Sequence, residues 1–319
     1  MSWQSALACW YLRRQFRPAT LSTKINVERA RALTSKRAWS PKVPAGWRLR
    51  ELNDADEPLR GEWLEPLGAH QAADNNAPTI LYLHGGGYYF CSPRSHRSLA
   101  FGLATRARAA TLSLDYRLAP EHRFPAALED ALAAYRQLVG SGTLPQSIVI
   151  AGDSAGGGLA LATLVALRDT GTPLPAGAVL FSPWTDLAAT GESIRSNDGA
   201  DPMFSGQAIG RAAQVYLGDA LATNPYASPV YADLRSLPPL FIQAGSTEVL
   251  LDDSRRVADN ARTAGVPVEL QIWPDMPHVW QIFTPFIPEA RRALDGAAGF
   301  VRQVTSPRSS QPSSAMSMV

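Results

Sequence analysis

The chain has 319 residues, of which 45% are hydrophobic and 18% charged. That is enough apolar material for one large α/β domain, and it excludes a disordered or collagen-like chain. Lys and Arg number 30 against 28 Asp and Glu, which gives a net charge of +2. No long block of one sign supplies the basic surface that nucleic-acid binding needs, so we expect no nucleic-acid partner.

The two cysteines, Cys9 and Cys91, cannot form a disulfide framework and have no metal-ligand spacing with the five histidines. We therefore expect no metal and a reducing compartment. No uncharged apolar run reaches the length of about 18 residues that spans a bilayer. In the first segment, MSWQSALACWYLRRQFR, the positive charges follow the apolar stretch, which is the reverse of a signal peptide. These features predict a cytoplasmic protein without a membrane span.

The chain begins with a helical region and continues as alternating strands and helices. Residues 1–40 predict two amphipathic helices broken around Pro18, and residues 47–52 and 59–64 predict two antiparallel edge strands. Further strands are predicted at 79–83, 110–114, 147–151, 178–181, 240–244 and 268–273, and helices at 95–108, 126–138, 155–169, 252–264 and 288–304. This alternation predicts an α/β fold with a mostly parallel, doubly wound sheet and helices on both faces.

One internal stretch departs from the alternation. Residues 185–233 are rich in Gly, Pro, Asp and Ser and predict at most one or two short helices. An insertion of that length in a compact α/β domain is usually a lid or a binding element. We therefore predict N-terminal cap helices at 1–45 and a main domain at 46–305, with a cap insertion within about 185–235. The Ser/Pro-rich tail at 306–319 buries too little apolar surface to be ordered.

Residues 152–156, Gly-Asp-Ser-Ala-Gly, fit the G-x-S-x-G pattern of a nucleophile elbow. The sequence SIVIA before them reads as a strand and AGGGLALATLVALRD after them as a helix. A phosphate-binding loop is the alternative, but it would need G-x-G-x-x-G or G-x-x-x-x-G-K-[ST], and neither pattern occurs. The context predicts that Ser154 is a nucleophile presented above a helix N-terminus.

A serine hydroxyl needs a base to take its proton, and in this fold the chain order is serine, acid, histidine. His278 alone of the five histidines follows Ser154, and it lies in the predicted loop WPDMPHVW. The acid should lie just after the strand that precedes the histidine's own strand. Glu248 lies in the loop that follows the predicted strand at 240–244. Asp252 is the alternative acid, although its position is also typical of a helix cap.

A developing oxyanion needs donors, and His84-Gly85-Gly86-Gly87 follows the strand at 79–83. We predict that the backbone N–H groups of Gly85, Gly86 and Ala155 form the oxyanion hole. Glycine is needed in this loop because a Cβ would block the close approach of the substrate. His84 itself is expected to support the loop.

Several motifs in one order resemble the bacterial hormone-sensitive-lipase-like esterases (family IV carboxylesterases) of the α/β-hydrolase superfamily. They are the HGGG sequence, DYRLAPEHRFPAALED at 115–130, GDSAGGG at 152–158, GSTEVLLDD at 245–253 and PHVW at 277–280. The resemblance covers about residues 45–305 and implies Ser154 as nucleophile, His278 as base and Glu248 as acid, where many members carry Asp. It also implies a helical cap built from 1–40 and part of 185–235, and it is compatible with a homodimer.

The expected function is a serine carboxylesterase that hydrolyses short-chain acyl esters through an acyl-enzyme, with a small-molecule ester as partner and no cofactor. A lactone or arylformamide hydrolase is the alternative on the same triad. A non-catalytic ligand receptor is a second alternative, but the retained serine, acid and histidine argue against it. Aromatic candidates for the substrate pocket are Tyr88, Tyr89, Phe90 and Trp184, and core packing is the other reading for each.

Overall fold

A computed structural model describes residues 1–37, 40–53, 59–68 and 76–306. The Ser/Pro-rich tail from residue 307 onward lies outside the described residues. Each strand and helix predicted after residue 46 is present, and its bounds agree with the prediction to within two residues. The α/β fold with a mostly parallel sheet is thereby confirmed.

The sheet has eight strands in the order β1-β2-β4-β3-β5-β6-β7-β8. Strand β2 pairs antiparallel with both β1 and β4, and all other neighbours are parallel. The parallel strands therefore have their carboxyl ends at one edge, where ligand sites of open α/β sheets lie. The strands are β1 (Trp47–Leu52), β2 (Gly61–Pro66), β3 (Thr79–Leu83), β4 (Ala110–Leu114), β5 (Ile148–Asp153), β6 (Gly177–Phe181), β7 (Leu240–Gly245) and β8 (Val268–Trp273).

Helices cover both faces of this sheet because the central strands are apolar on both sides. Leu81 and Leu83 of β3 face a core that includes Leu159 and Leu161, whereas Ile80 faces a second core on the opposite side. The second core is filled by side chains of α4 and α10. The helices after the edge strands are α4 (Pro93–Ala107), α5 (Ala126–Gly140), α6 (Ala155–Asp169), α7 (Ser193–Ser196), α8 (Gly206–Leu217), α9 (Leu251–Thr263) and α10 (Pro288–Thr305).

The N-terminal region differs from the two predicted helices. It forms α1 (Trp3–Gln15), a short α2 (Arg17–Thr20) and α3 (Val27–Arg37). Pro18 lies in the first turn of α2, where a proline has no hydrogen bond to lose. The helices are interrupted around Pro18 as predicted, but at two places, Phe16 and residues 21–26, so the region has three helices where two were predicted. Within the described ranges, no helix is long and apolar enough to cross a membrane.

Helix α1 is attached to the main domain through Glu289 in the first turn of α10. The Glu289 carboxylate accepts hydrogen bonds from the Ser2 backbone N–H (2.6 Å), the Ser2 hydroxyl (2.8 Å) and the Ser5 hydroxyl (3.0 Å). Burial raises the pKa of Glu289, but these hydrogen bonds outweigh burial and hold the pKa at about 2. The charged carboxylate thus fixes which side of α1 faces the protein.

The N-terminal helices also contact the segment 198–205, which precedes α8. Arg13 donates to the carbonyl oxygens of Gly199 (3.1 Å) and Ala200 (2.7 Å). Arg17 forms an ion pair with Asp198 at 3.1 Å, and Arg211 of α8 donates to the Thr20 carbonyl at 2.7 Å. These contacts join the two regions that the sequence assigned to a cap. The domain boundaries themselves remain a prediction.

Ion pairs connect the stretch after β4 to neighbouring helices. Arg117 pairs with Glu129 (3.0 Å) and Asp130 (2.8 Å) at the start of α5. Glu121 pairs with Arg31 of α3 at 2.7 Å, so it too links the N-terminal helices to the main domain. Exposed pairs of this kind contribute about 1 kcal/mol or less each, so their main effect is on orientation.

Candidate active site

Ser154 lies at the sharp turn between β5 and α6. Its backbone has φ 52° and ψ −121°, a left-handed conformation that L-residues rarely adopt. Glycines on both sides make the turn sterically feasible: a Cβ at Gly152 would collide with the carbonyl oxygen of Gly156, and one at Gly156 with that of Leu83. The sequence G-x-S-x-G therefore adopts the strained elbow geometry that was predicted from its context.

His278 and Glu248 form a buried pair at the carboxyl ends of β8 and β7. His278 Nδ1 lies 2.8 Å from Glu248 Oε2, and the two side chains are only 2% and 1% exposed. Because a carboxylate only accepts hydrogen bonds, Nδ1 carries the hydrogen and Nε2 has the free lone pair. His278 Nε2 is buried and has no hydrogen-bond partner in the part of the chain that the structure describes.

Ser182, which follows β6, holds the second oxygen of Glu248. The Ser182 hydroxyl donates to Glu248 Oε1 at 2.7 Å and accepts from the Val279 N–H at 3.1 Å. The Gly245 N–H also donates to Glu248 Oε1. Ser182 was not predicted as a site residue, although its position directly after a strand beside β5 and β7 was a usable signal. The loops after β6, β7 and β8 are thus joined at Glu248.

The surroundings of His278 make it a stronger base than free imidazole. Burial alone would lower the pKa of His278, but the charge and hydrogen bond of Glu248 raise it above its ordinary value, with a further contribution from Asp201. The imidazolium form is therefore stabilised in a buried location. This arrangement suits a group that takes up a proton during a reaction.

Asp252, the alternative acid, lies away from His278. Its carboxylate accepts a hydrogen bond from the Ser193 N–H at 2.8 Å and pairs with Arg255 at 3.2 Å, in the first turn of α9. The neighbouring Asp253 is buried and accepts from the Thr185 N–H at 2.6 Å. The geometry therefore favours Glu248 as the partner of His278.

The glycine loop after β3 differs from the prediction at one position. The Gly85 N–H donates to Asp153 Oδ1 at 3.0 Å, so this single hydrogen is not available to an oxyanion. The N–H groups of Gly86, Gly87 and Ala155 donate to no protein acceptor among the residues described. The geometry thus contradicts the prediction for Gly85 and adds Gly87 as a candidate donor. The motif contains three adjacent glycines and does not reveal which of them donates its N–H to Asp153. A contact between two loops decides this.

Asp153 anchors this loop to the rest of the site. It is 1% exposed, and besides the Gly85 N–H it accepts from the Tyr82 hydroxyl at 2.6 Å and lies 3.2 Å from His96 Nε2. Burial alone would raise the pKa of Asp153, but His96 and Tyr82 hold it below its ordinary value. The carboxylate is therefore charged, and it fixes the glycine loop relative to the elbow.

His84 is part of the same scaffold. Its ring stacks on Tyr116 with centroids 4.4 Å apart, and its Nδ1 lies 2.7 Å from the Gly85 carbonyl oxygen. Burial lowers the pKa of His84 to about 3, so the ring is neutral. This placement agrees with the expectation that His84 supports the loop.

The predicted aromatic residues fall into two groups. Tyr88 and Trp184 are each 2% exposed, and the Tyr88 ring stacks on Tyr216 with centroids 3.8 Å apart. Tyr89 and Phe90 are half-buried, with ring centroids 4.9 Å apart. Core packing therefore describes Tyr88 and Trp184, while a substrate contact of Tyr89 and Phe90 stays a prediction.

A segment of the predicted cap reaches the site through residues that the sequence analysis missed. The Phe204 ring meets His278 edge to face, with centroids 5.1 Å apart. Asp201, fully buried, accepts from the N–H groups of Phe204 (3.0 Å) and Val249 (2.9 Å). Asn197 donates to the Glu248 carbonyl at 2.8 Å. No sequence motif marks these residues, because their role arises from packing between distant segments.

Known proteins agree with this fold and geometry. A family model for the α/β-hydrolase fold matches residues 80–282. An acetyl-hydrolase of Streptomyces hygroscopicus is 48% identical over 244 residues, which are 76% of this chain and 80% of that protein. A crystal structure of an esterase from the bacterial hormone-sensitive lipase family superposes with a TM-score of 0.87 at 40% identity, covering 96% of this chain and 99% of the other. The chain belongs to the α/β hydrolases of this bacterial hormone-sensitive lipase family.

Two further relatives of this hydrolase extend the comparison. An esterase of Acinetobacter venetianus is 38% identical over 222 residues, 69% of this chain and 73% of that protein. The structure of EstE5 soaked with p-nitrophenyl butyrate is 41% identical with a TM-score of 0.87, and covers 96% of this chain and 99% of EstE5.

The hydrogen bond between Asp153 and Gly85 leads to a prediction about loop position. We expect Asp153→Asn to lower kcat about 10- to 100-fold with little change in KM, because misplaced backbone donors weaken transition-state stabilisation most. Asp169→Asn, at the other end of α6, is the matched control and should keep wild-type kinetics. Steady-state kinetics with p-nitrophenyl acetate decide the point. An Asp153→Asn enzyme with unchanged kcat would contradict the positioning role.

Proposed function

We propose that this α/β hydrolase is a serine carboxylesterase that cleaves small acyl esters through an acyl-enzyme. The buried pair of Glu248 and His278, with a free His278 Nε2, is the observation that carries the proposal. Glu248 follows β7 and His278 follows β8, and the elbow that holds Ser154 follows β5, which is a parallel strand of the same sheet. The relatives named esterase and acetyl-hydrolase support the same activity.

The chemistry needs only protein groups and water. Ser154 Oγ attacks the ester carbonyl while His278 Nε2 takes its proton, and Glu248 stabilises the imidazolium that forms. The N–H groups of Gly86, Gly87 and Ala155 are proposed to bind the oxyanion. His278 then protonates the leaving alcohol, and a water molecule attacks the acyl-enzyme by the reverse route to release the acid.

A short acyl group is the proposed preference. The Phe204 ring packs edge to face against the His278 ring. This side chain of the predicted cap therefore restricts the space around the proposed base. Among the relatives, one is named acetyl-hydrolase and EstE5 was soaked with a butyrate ester. Both names fit a small acyl pocket.

A cytoplasmic location is proposed as well. Cys9 and Cys91 are both free thiols, as expected in a reducing compartment. The homodimer that the family resemblance allows stays a prediction.

The reaction is tested at its nucleophile. We expect wild-type enzyme to release a burst of p-nitrophenol from p-nitrophenyl acetate, and Ser154→Ala to lose the burst and about 10⁶-fold in turnover, as in comparable triads. Stopped-flow absorbance measures the burst, and an unchanged melting temperature controls for folding. Residual activity above a few percent in Ser154→Ala would show that another group carries the reaction, and a wild type that hydrolyses no ester would favour the receptor.

The acid is tested by a pair of variants. We expect Glu248→Gln to lower turnover about 10⁴-fold, because the imidazole loses the carboxylate that fixes its tautomer and stabilises its charge. Asp252→Asn is the matched control in the first turn of α9, and should cost about 1 kcal/mol of stability with near-normal kinetics. If Asp252→Asn were inactive and Glu248→Gln active, the acid would be Asp252.

The pH profile separates this role from a general structural effect of Glu248→Gln. A general base works when neutral, so kcat/KM rises as pH increases through the pKa of His278. Since Glu248 raises the pKa of His278 in the wild type, that acid limb should move to lower pH in Glu248→Gln. An unmoved limb would contradict the electrostatic role of Glu248.

Acyl preference is measured with a series of p-nitrophenyl esters from acetyl to dodecanoyl. Each buried methylene gains up to about 0.8 kcal/mol while space remains, and crowding then costs more than this gain. We expect kcat/KM to be highest between acetyl and hexanoyl and to fall sharply by dodecanoyl. A steady rise towards long chains would show that the acyl site is open.

A further inference from the structure

Large exposed apolar side chains are concentrated at the N-terminus. Trp3, Leu7 and Trp10 of α1 are 74%, 55% and 54% exposed. Met1, Tyr11, Phe16 and Leu21 are exposed nearby. Side chains of this size rarely lie together in water without a partner, so the cluster indicates a contact surface.

The helical geometry of α1 shows that this surface points away from the protein. At 100° per residue, Trp3, Leu7 and Trp10 lie within one stripe. The two buried residues of α1, Ser5 and Leu12, lie on the opposite side of the helix, where Ser5 is held by Glu289 at 3.0 Å. The stripe is therefore not a part of the core that has been left uncovered, because the docked side of the helix is already defined.

The N-terminal segment that carries the stripe is net positive, although Arg17 is paired with Asp198. Residues 1–27 contain four cationic side chains, at positions 13, 14, 17 and 24, and neither Asp nor Glu. The Arg14 guanidinium lies over the Trp10 ring, 5.2 Å from its centroid, so a cation and an aromatic ring share one surface. Aromatic rings with basic side chains are typical of helices that lie in the headgroup region of anionic bilayers.

We propose that the face formed by Trp3, Leu7, Trp10 and Arg14 binds the surface of anionic lipid bilayers. Burial of the two indole rings and of Leu7 among the headgroups supplies the apolar part of the affinity, and the cations supply attraction to the lipid charge. A second copy of the chain fits less well, since a symmetric contact would bring two net positive segments and both Arg14 side chains together.

The proposal concerns a surface, so it stands independently of the esterase reaction. It does have a consequence for the site: Arg13, in the same helix, binds the carbonyls of residues 199 and 200, in the segment whose Phe204 touches His278. Binding at a bilayer would place the candidate site next to esters that dissolve poorly in water.

The test is co-sedimentation of the full chain with vesicles. We expect wild-type protein to pellet with vesicles of equal parts phosphatidylglycerol and phosphatidylcholine, and binding to fall about ten-fold or more in Leu7→Ser/Trp10→Ser. Leu67→Ser/Leu221→Ser removes two other apolar side chains, 61% and 75% exposed, and is the matched control that should bind normally. Binding should weaken with added salt and on pure phosphatidylcholine vesicles.

Melting temperatures and p-nitrophenyl acetate hydrolysis confirm that the surface variants are folded, since none of the four residues belongs to the candidate site. Equal vesicle binding by wild type and Leu7→Ser/Trp10→Ser overturns the proposal, as does binding that ignores lipid charge. A wild-type protein that stays in the supernatant also overturns it. If Leu7→Ser/Trp10→Ser instead converts a dimer to a monomer in analytical ultracentrifugation, the stripe is a contact between copies.

Discussion

The buried hydrogen bond between Glu248 and His278 constrains the rest of the candidate site. A carboxylate out of contact with water is costly unless hydrogen bonds and an opposite charge compensate it. Ser182 and the Gly245 N–H occupy one oxygen and His278 the other. Because Ser182 also accepts from Val279, a shift in any one of three strand-end loops would remove a hydrogen bond from this buried group. This mutual dependence keeps the imidazole in one orientation.

The cap segment extends this dependence outward. The buried Asp201 side chain accepts hydrogen bonds from backbone N–H groups of its own turn and from the N–H of Val249, which directly follows Glu248. Arg17 in turn donates to the Asp201 carbonyl at 2.8 Å. A continuous path of hydrogen bonds therefore runs from the N-terminal helices to the loop of the acid. The segments predicted to form the cap therefore also support the loop of the acid.

Much of this arrangement could be predicted, and the limits have physical causes. The strands were predicted correctly because β-branched runs and turn residues are local signals. Ser154 and His278 could be proposed because chain order and the strand-turn-helix context restrict the choice. Gly85 was assigned wrongly because three adjacent glycines are locally equivalent until Asp153 selects one. Ser182 and Asp201 were missed because their contacts come from distant segments. The short helix α2 was missed because a proline can begin a helix as well as end one.

The structure contains two buried histidine–carboxylate pairs, and the contacts of their second ring nitrogens distinguish them. His96 contacts Asp153 through Nε2, while its Nδ1 lies 2.9 Å from the Ser95 hydroxyl. Both ring nitrogens of His96 are therefore engaged, and its pairing keeps Asp153 charged and the glycine loop fixed. In His278 only Nδ1 is engaged, and Nε2 has no partner among the described residues. The same kind of pair thus holds a loop in place where both ring nitrogens are engaged, and it fits the proposed proton acceptor where one nitrogen keeps a free lone pair.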